Sequence, residues 1–150
     1  MPIGDVCIRD VAITGKSTTI RDAALLMRRN HVGDLVVTEE DQSGRQIPMG
    51  IVTDRDIVLS VIALALDPTV YTVGDLVARE LVTVAEDQGI FECIQRMRTN
   101  GVRRMPVVDG HGGLIGIVSV DDLIQLLSEE MSALAKLISR GQVREARVKV

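Results

Sequence analysis

The feature that most constrains the fold is a short motif that occurs twice in the same order. It consists of a glycine, two apolar residues, a hydroxyl residue and, three residues after the hydroxyl, an aspartate. The two copies run from Gly50 to Asp56 and from Gly116 to Asp122. Each copy predicts a short buried strand that leads into a helix, with the hydroxyl at the turn and the carboxylate in the first helical turn. This arrangement suits a ribose-phosphate group.

The duplication extends well beyond this motif. When the sequence is shifted by 70 residues, Gly4-Asp5-Val6 aligns with Gly74-Asp75-Leu76, and many apolar positions coincide. The shift falls to 66 residues at the glycine motif, which we attribute to a loop, Glu39 to Pro48, that is four residues longer than its counterpart. An insertion confined to a loop is what a structural repeat tolerates. We therefore predict two tandem copies of one unit.

Composition sets the outer limits of the function. The chain has 150 residues, is 46% hydrophobic and carries a net charge of -4, which fits one globular domain with a real core. Weak acidity does not support a nucleic-acid or anionic-membrane partner, which would need a clustered basic surface. No apolar stretch is long enough to span a membrane, and the N-terminus lacks the pattern of a signal peptide. We expect a cytoplasmic location.

The sequence contains no recognisable catalytic or metal-binding arrangement. Cys7 and Cys93 align with small apolar residues of the other copy, so we interpret both as buried small side chains. His31 and His111 have no neighbours at ligand spacing. Neither a serine, histidine and acid set nor a phosphate-binding loop is present. The prediction is a protein that is not an enzyme, with no metal and no obligatory cofactor.

Hydrophobic periodicity predicts the order strand, helix, strand, strand, helix in both halves. In the first half we expect these elements at residues 12 to 14, 19 to 29, 34 to 38, 49 to 53 and 54 to 66. In the second half we expect them at residues 82 to 85, 88 to 99, 105 to 109, 114 to 119 and 120 to 138. Asp67-Pro68 is expected to end the very apolar helix before it. The predicted boundaries are 4 to 68, 69 to 140 and a polar tail, 141 to 150, either mobile or an added strand.

The tandem repetition, the glycine, apolar, apolar, Thr/Ser, x, x, Asp pattern and the segment Val102 to Val108 resemble a pair of cystathionine β-synthase (CBS) domains, also called a Bateman module. The resemblance covers residues 4 to 140. It implies an α+β fold of two β-α-β-β-α repeats that pack through their sheets as a pseudo-two-fold module. It also implies clefts that commonly hold AMP, ADP, ATP, NAD or S-adenosylmethionine, and a homodimer formed through the helices.

The duplicated motif supplies groups for a ribose and a phosphate. Thr53 and Ser119 stand at helix starts, where unpaired N–H groups favour phosphate, and each hydroxyl can donate a hydrogen bond to a phosphate oxygen. Asp56 and Asp122 can accept hydrogen bonds from both hydroxyls of a ribose. The same spacing is that of a capping box, in which the two side chains only satisfy the first backbone donors of the helix. Both interpretations stay open, and they are compatible.

Further candidates follow from the resemblance, which places the adenine between the first strand and the segment that leads into the second. The corresponding residues are Ile13, Thr14, Val32, Gly33, Asp34 and Leu35 in one repeat and Thr83, Val84, Val102, Arg103, Arg104 and Met105 in the other. Candidates to neutralise phosphate charge are Arg55, Lys16, Arg103 and Arg104.

The two sites are expected to differ in charge. Arg103 and Arg104 align with Gly33 and Asp34, so the second site should prefer the more highly phosphorylated ligand. Asp34 would repel a phosphate unless a metal intervenes or its carboxylate faces the adenine or ribose. One alternative is that it accepts a hydrogen bond from the adenine amino group; otherwise the first site would not be fully occupied.

Two functions remain open from the sequence. The first is a stand-alone regulatory module that senses an adenosine nucleotide as an energy or metabolite signal. The second is a ligand-independent dimerisation or docking module that acts through the apolar helices at 57 to 66 and 123 to 138. Their apolar surface exceeds what one side of a small domain needs, which favours an interface in either case. The expected partners are an adenine nucleotide, a second copy and an unidentified regulated protein.

Overall fold

The structure, a computed structural model, describes residues 1–77 and 80–148 and shows one order of elements twice. The first repeat consists of β1 (Ile13–Thr14), α1 (Ile20–Asn30), β2 (Asp34–Glu40), β3 (Gln46–Thr53), α2 (Asp54–Ile57) and a π-helical segment (Val58–Ile62). The second consists of α3 (Val73–Leu76), β4 (Val84–Ala85), α4 (Ile90–Asn100), β5 (Arg104–Val108), β6 (Leu114–Ser119) and α5 (Val120–Val148). A 3-10 turn (Ile3–Asp5) precedes β1. None of the helices within the described ranges is long and apolar enough to cross a membrane.

Each repeat contains its own three-stranded sheet, which confirms the predicted α+β class. The strand orders are β1-β2-β3 and β4-β5-β6, with the short first strand of each sheet parallel to the central strand. In the first sheet β2 and β3 are antiparallel. The chain divides into two compact units, Met1–Val118 and a second that begins at Ser119 and contains α5.

The 70-residue shift predicted from the sequence describes the helices well. Helices α1 and α4 begin and end at equivalent residues, and the residue that follows each, His31 or Gly101, adopts a left-handed conformation with φ of 54° or 63°. Such a residue is a common way to end a helix. At the start of α1, Thr19 Oγ1 accepts a hydrogen bond from Asp22 N at 3.2 Å. The predicted strand and helix positions are therefore confirmed for this part of each repeat.

The four extra residues of the first repeat lie in its strands rather than in a longer loop, so the expected loop insertion is wrong. Strands β2 and β3 are each two residues longer than β5 and β6. The turns between them have the same length and the same construction. The carboxylate of Asp41 or Asp109 accepts backbone hydrogen bonds within each turn, and Gly44 or Gly112 adopts a positive φ. These backbone donors lower the pKa of both carboxyl groups.

The segment in front of each repeat packs against the other repeat. We call residues 2–8 and 72–77 the leader segments. Gly4 N donates a hydrogen bond to Glu86 O at 2.9 Å, and the equivalent Gly74 N donates one to Lys16 O at 2.9 Å. The same exchange occurs at the neighbouring positions in both leader segments. The two repeats thus hold one another in a reciprocal arrangement, as the pseudo-two-fold expectation requires.

A leader segment also completes the hydrophobic core of the first repeat. Val73, which belongs to the second leader segment, is fully buried in the core of the first repeat. Its counterpart Ile3 is fully buried as well. The remaining members of the first core are Ile20, Ala23, Met27, Leu35, Val37, Val52, Ile57 and Val61. Closure of this core therefore requires a residue from the other repeat.

The glycine of the duplicated motif is where a leader segment comes closest to the sheet. A Cβ atom at Gly50 would overlap Cγ1 of Val77. A Cβ atom at Gly116 would lie 2.5 Å from Cys7 Sγ and 2.8 Å from Ile8 O. Cys7 and Val77 occupy equivalent positions in the two leader segments. Packing of the exchanged segment thus accounts for the first residue of the motif.

The predicted continuous helix over residues 54 to 66 is wrong. Helix α2 ends at Ile57, and the next turns are π-helical, with Ala63 N donating to Val58 O at 2.9 Å. Ala65 then adopts a positive φ of 54°, which ends the element before Asp67-Pro68. Hydrophobic side chains lie on every side of this segment, so its periodicity could not reveal the wider turn.

Helix α5 is longer than predicted, because it continues from Ile138 to Val148. The described part of the segment predicted as a tail is therefore helical, rather than mobile or a strand. Lys149 and Val150 lie outside the described residues. Gly141 stands inside this helix and lowered its apparent helix propensity in the sequence.

The two cysteines differ in burial. Cys93 is fully buried, as predicted, whereas Cys7 is half-buried beside Gly116. Burial raises the pKa of both thiols, and at Cys7 the nearby Arg9 partly opposes that increase. A raised pKa favours the protonated thiol, so neither cysteine has the character of a reactive thiolate near neutral pH.

Substitution of the motif glycines should destabilise the protein. We expect Gly116→Ala to lower the free energy of unfolding by about 1–3 kcal/mol, because the new methyl group would meet a backbone oxygen that cannot rotate away. Gly50→Ala should also destabilise, since Val77 must move. Gly110→Ala is the control, because a methyl group at that position would enter open space, with no atom of another segment within 4 Å. Urea unfolding followed by circular dichroism measures the difference, and equal stability of all three variants would contradict the packing argument.

Candidate functional site

Both copies of the motif form a capping box. In the first repeat, Thr53 Oγ1 accepts a hydrogen bond from Asp56 N at 3.1 Å, and Asp56 Oδ2 accepts one from Thr53 N at 3.0 Å. In the second, Ser119 Oγ accepts from Asp122 N at 3.1 Å, and Asp122 Oδ2 accepts from Ser119 N at 3.1 Å. Ser119 Oγ also lies 2.8 Å from Asp122 Oδ2 and donates to it. These contacts bear out the capping interpretation for both pairs.

Capping uses only part of the hydrogen-bonding capacity of these side chains. In each pair one carboxylate oxygen, Oδ2, accepts the bonds just described, and the other accepts none from the described residues. All four side chains are half-buried, so they combine fixed orientation with access from outside. Each pair can therefore offer a carboxylate oxygen to a further donor without loss of the cap.

In the first repeat, sheet pairing brings the end of the motif beside the segment predicted to hold the adenine. Asp34 and Thr53 are partners in the antiparallel register of β2 and β3. Asp54 N donates to Gly33 O at 2.9 Å, and a Cβ at Gly33 would lie 3.0 Å from Asp54 Oδ2. Asp54 was not among the candidates from the sequence, although it directly follows the hydroxyl. Gly33, Asp34 and Thr53 thus form one continuous surface.

The adenine segment of the first repeat combines exposed apolar surface with a buried hydroxyl. Ile13 and Val32 are 40% and 37% exposed, which is high for large aliphatic side chains. Leu35 is buried in the core. Thr14 is buried, and its Oγ1 has no hydrogen-bond partner among the described residues. A buried polar atom without a partner typically costs about 1–3 kcal/mol, so this hydroxyl requires an explanation.

Asp34 forms an ion pair with Arg104. Nη1 of Arg104 donates to Oδ2 of Asp34 at 2.5 Å, and the side chains of Arg104 and Asp34 are 39% and 24% exposed. These residues occupy equivalent positions in the two repeats, so the pseudo-two-fold axis passes close to their contact. The guanidinium neutralises the carboxylate, which offsets the repulsion of phosphate expected from the sequence. The structure therefore brings Asp34 and Arg104 together as partners of each other.

The other candidate cations lie at the surface. Lys16, Arg55 and Arg103 are all exposed. The Lys16 backbone is fixed by its carbonyl, which accepts the hydrogen bond from Gly74 N. Arg103 takes part in an interaction of its own. Their side chains remain candidates for phosphate contacts, as the sequence predicted.

In the second repeat, the candidates between positions 83 and 105 differ in burial and contacts from their counterparts in the first repeat. Val84 and Met105 are buried, and Val102 is half-buried where Val32 is exposed. The Thr83 carbonyl accepts a hydrogen bond from Arg96 Nε at 2.6 Å. Arg96 aligns with Leu26 in the first repeat. This difference between the repeats is the sequence signal that could have indicated the contact of Arg96 with Thr83. Ser119 and Asp122 belong to the other unit of the chain.

The described residues contain no group of three or more histidine, cysteine, aspartate or glutamate side chains that could hold a metal ion.

Comparison with known proteins assigns the family. The model of the CBS domain matches residues 3–63 and 73–129. The chain therefore belongs to the CBS domain family, as a tandem pair. An uncharacterised protein of Methanopyrus kandleri is 37% identical over 125 residues, which are 83% of this chain and 61% of that protein. Hypoxic response protein 1 of Mycobacterium tuberculosis is 34% identical, with 83% and 84% covered.

Solved structures agree with this assignment. A crystal structure of Hypoxic Response Protein I with two coordinated zinc ions has a TM-score of 0.70 and 33% identity, and the match covers 83% of this chain and 98% of that one. A CBS domain protein from Pyrobaculum aerophilum, complexed with AMP, has a TM-score of 0.70 and 26% identity, with 81% and 89% covered. CBS-pair proteins are generally regulatory rather than catalytic.

The ion pair between the repeats should contribute measurably but weakly to stability. In a double-mutant cycle with Asp34→Ala and Arg104→Ala, we expect a coupling energy of up to about 1 kcal/mol, because both side chains are partly exposed to water. The coupling should decrease when salt is raised from about 0.05 to about 0.5 M. Urea unfolding of the four proteins gives the value. Strict additivity at low salt would show that the pair has no energetic role.

Proposed function

We propose that this chain is a regulatory module that binds an adenosine nucleotide, with one site in the first repeat. In this site Asp56 accepts hydrogen bonds from the ribose hydroxyls, Thr53 donates to a phosphate oxygen, and the exposed surface of Ile13 and Val32 contacts the adenine. Family membership supports the proposal, and so does the related protein from Pyrobaculum aerophilum, which is complexed with AMP. The second repeat carries the same pair as Ser119 and Asp122, for which we propose the same roles once the Ser119 hydroxyl turns from Asp122 Oδ2 to the phosphate.

The observation that carries the proposal is the half-buried Thr53–Asp56 pair. Its carboxylate is held in place through one oxygen, and the other has no partner among the described residues. A cap alone would need no adjoining apolar surface. Here the pair lies next to Asp34 in the sheet, and the exposed Ile13 and Val32 belong to the same repeat. A ribose with an attached adenine satisfies both the polar and the apolar parts of this surface.

Thr14 provides additional support. Its unpartnered hydroxyl is both a donor and an acceptor, so it could bond a ring nitrogen or the amino group of adenine. Because the oxygen is buried, a ligand reaches it only if Thr14 rotates about χ1 or its neighbours shift. Ligand binding would then change the conformation near β1. A ligand can act as a signal only if it binds two conformations with different affinity.

Removal of the ribose and phosphate contacts should abolish binding at the first site. Thermal unfolding followed by circular dichroism suits this chain, which contains no Trp. An adenosine ligand at about 100 times its dissociation constant should add roughly 2.7 kcal/mol of stability, whereas GTP should not. AMP, ADP, ATP, NAD and S-adenosylmethionine are compared in this way. The variant with Thr53→Ala and Asp56→Ala should lose the contribution of the first site.

Thr19→Ala provides the matched control, because Thr19 caps α1 and lies outside the proposed contacts. It should cost about 1 kcal/mol of stability, as a lost cap does, yet retain the full effect of the ligand. To separate the two sites, Ser119→Ala and Asp122→Ala are combined in a second variant. If no adenosine compound stabilises the chain at millimolar concentration, both pairs serve only as caps and the proposal fails.

The two repeats should bind ligands with unequal affinity. The second repeat has Arg103 and Arg104 where the first has Gly33 and Asp34, so it should favour ATP over AMP. Isothermal titration of each single-site variant with AMP and with ATP measures the ratio. Arg103→Gly should reduce the preference of the second repeat for ATP. Equal affinity of both repeats for both nucleotides would contradict this proposal.

A ligand-independent docking module is the second candidate function. The observation that favours it is the cluster of exposed apolar side chains on and after the π-helical segment, where Val58, Leu59, Ile62 and Leu64 are each at least half exposed. Such a surface is typical of an interaction site. Under this alternative, the Thr53→Ala and Asp56→Ala variant would retain self-association and any partner binding, and nucleotides would have no effect on either.

A further inference from the structure

The C-terminal part of α5 is a long helix without packing of its own. The match to the CBS domain ends at residue 129, whereas α5 continues to Val148. Every described residue from 128 to 148 is exposed. Most helical stability in proteins comes from an apolar face packed against a partner rather than from the helix alone. This segment therefore has the properties of a helix that is completed by another chain.

Apolar residues recur along this helix at alternating intervals of three and four. The positions are Ile124, Leu127, Met131, Leu134 and Ile138, and the series continues through Gly141 and Glu145 to Val148. Alternation of three and four is the heptad pattern of helices that pair as a coiled coil. Met131, Leu134 and Ile138 are between 61% and 71% exposed, which is unusual for side chains of this size. They form a stripe, the heptad seam, along one side of the helix.

Charge changes sign along the same helix. Between residues 121 and 130 the charged side chains are all acidic, with Glu129 and Glu130 at the end of that stretch. Between residues 136 and 147 four of the five are basic: Lys136, Arg140, Arg144 and Arg147, with Glu145 as the exception. A partner that follows this helix must therefore present basic groups to one end and acidic groups to the other. A second copy of α5 that runs in the opposite direction has this distribution.

We propose that the exposed part of α5 pairs with α5 of a second copy of this chain as an antiparallel two-helix coiled coil. With Leu134 facing Ile138 of the second copy, Met131 faces Gly141, so a long side chain meets the smallest residue. The same register places Glu130 opposite Arg144 at the flanking positions, where interhelical salt bridges select the partner and its orientation. Two-fold symmetry repeats each of these contacts.

The parallel arrangement is disfavoured by the same residues. It would place Glu145 against Glu145 within the seam, and the acidic and basic halves of each helix would face their own kind. Like charges that face each other are destabilising, and a buried pair of carboxylates is strongly so. The charge pattern thus determines the direction of pairing, while the heptad seam supplies the contact area.

Disulfide cross-linking of the full chain tests the pairing. A disulfide requires Cβ atoms about 3.5–4.5 Å apart, so it reports which positions face each other. When Leu134→Cys and Ile138→Cys proteins are mixed and oxidised, we expect a link between positions 134 and 138, identified by peptide mass spectrometry. Each variant alone should give little product. Links from 134 to 134 or from 138 to 138 would show parallel pairing, and these or the absence of any link would overturn the proposal.

Val143→Cys is the matched control for reactivity, because Val143 is exposed but lies on the side of the helix away from the heptad seam. It should give no cross-link with any of the other variants. Cys7 and Cys93 are recognised by their own peptides. Circular dichroism of each variant checks that the chain is folded, which we expect because every substituted position is exposed.

Charge reversal tests the register independently of any other contact between copies. Glu130→Arg should reduce the yield of the 134–138 link about fivefold, which corresponds to about 1 kcal/mol. Arg144→Glu should have the same effect. The two reversals combined in one chain should restore the original yield, because each arginine again faces a glutamate. If the double reversal gives no recovery, Glu130 and Arg144 are not opposed and the proposed register is wrong.

Discussion

The reciprocal exchange of the leader segments is the contact on which the rest of this structure depends. The first repeat lacks part of its own core, which Val73 supplies from the segment in front of the second repeat, and the equivalent Ile3 is fully buried as well. The approach is so close that a Cβ atom at position 116 would meet a backbone oxygen, and one at position 50 would require Val77 to move. Because Gly50 lies in the strand that ends at Thr53, core closure in the first repeat also sets the position of the Thr53 hydroxyl and the Asp56 carboxylate.

One motif can cap a helix and still leave hydrogen-bonding groups available to a ligand. A cap and a ligand can share the hydroxyl and carboxylate pair as long as the cap leaves some of its hydrogen-bonding groups unused. Here Asp56 uses one oxygen for the backbone of Thr53, and its fixed orientation costs no additional entropy when a ligand arrives. The capping box is thus a way to preorganise the carboxylate. Its presence neither requires a nucleotide nor argues against one.

The sequence was sufficient to predict the repeats, their elements and the family, because these follow from short-range patterns and from their duplication. It did not reveal contacts between segments distant in the chain. Residue types alone predicted how Asp34 and Arg104 would each interact with a phosphate. They did not predict that the two side chains would pair with each other. The role of Gly50 depends on Val77, and no local pattern connects them.

The errors in helix length also have a physical origin, because periodicity locates a helix only when one face is apolar and the other polar. Apolar residues surround the π-helical segment, and Gly141 with the basic residues after it suggested a tail.

One difference between the two halves lies where the repeats meet. Positions 34 and 104 are equivalent in the two repeats. If both positions carried the same one of these two residues, two like charges would lie close to the axis. Replacement by aspartate on one side and arginine on the other turns that repulsion into an ion pair. The same substitution makes the two repeats chemically different at the segments that lead into β2 and β5. Under the proposed function, Arg104 therefore contributes both to the contact between the repeats and to the discrimination between two ligands, so a change at this position should alter both.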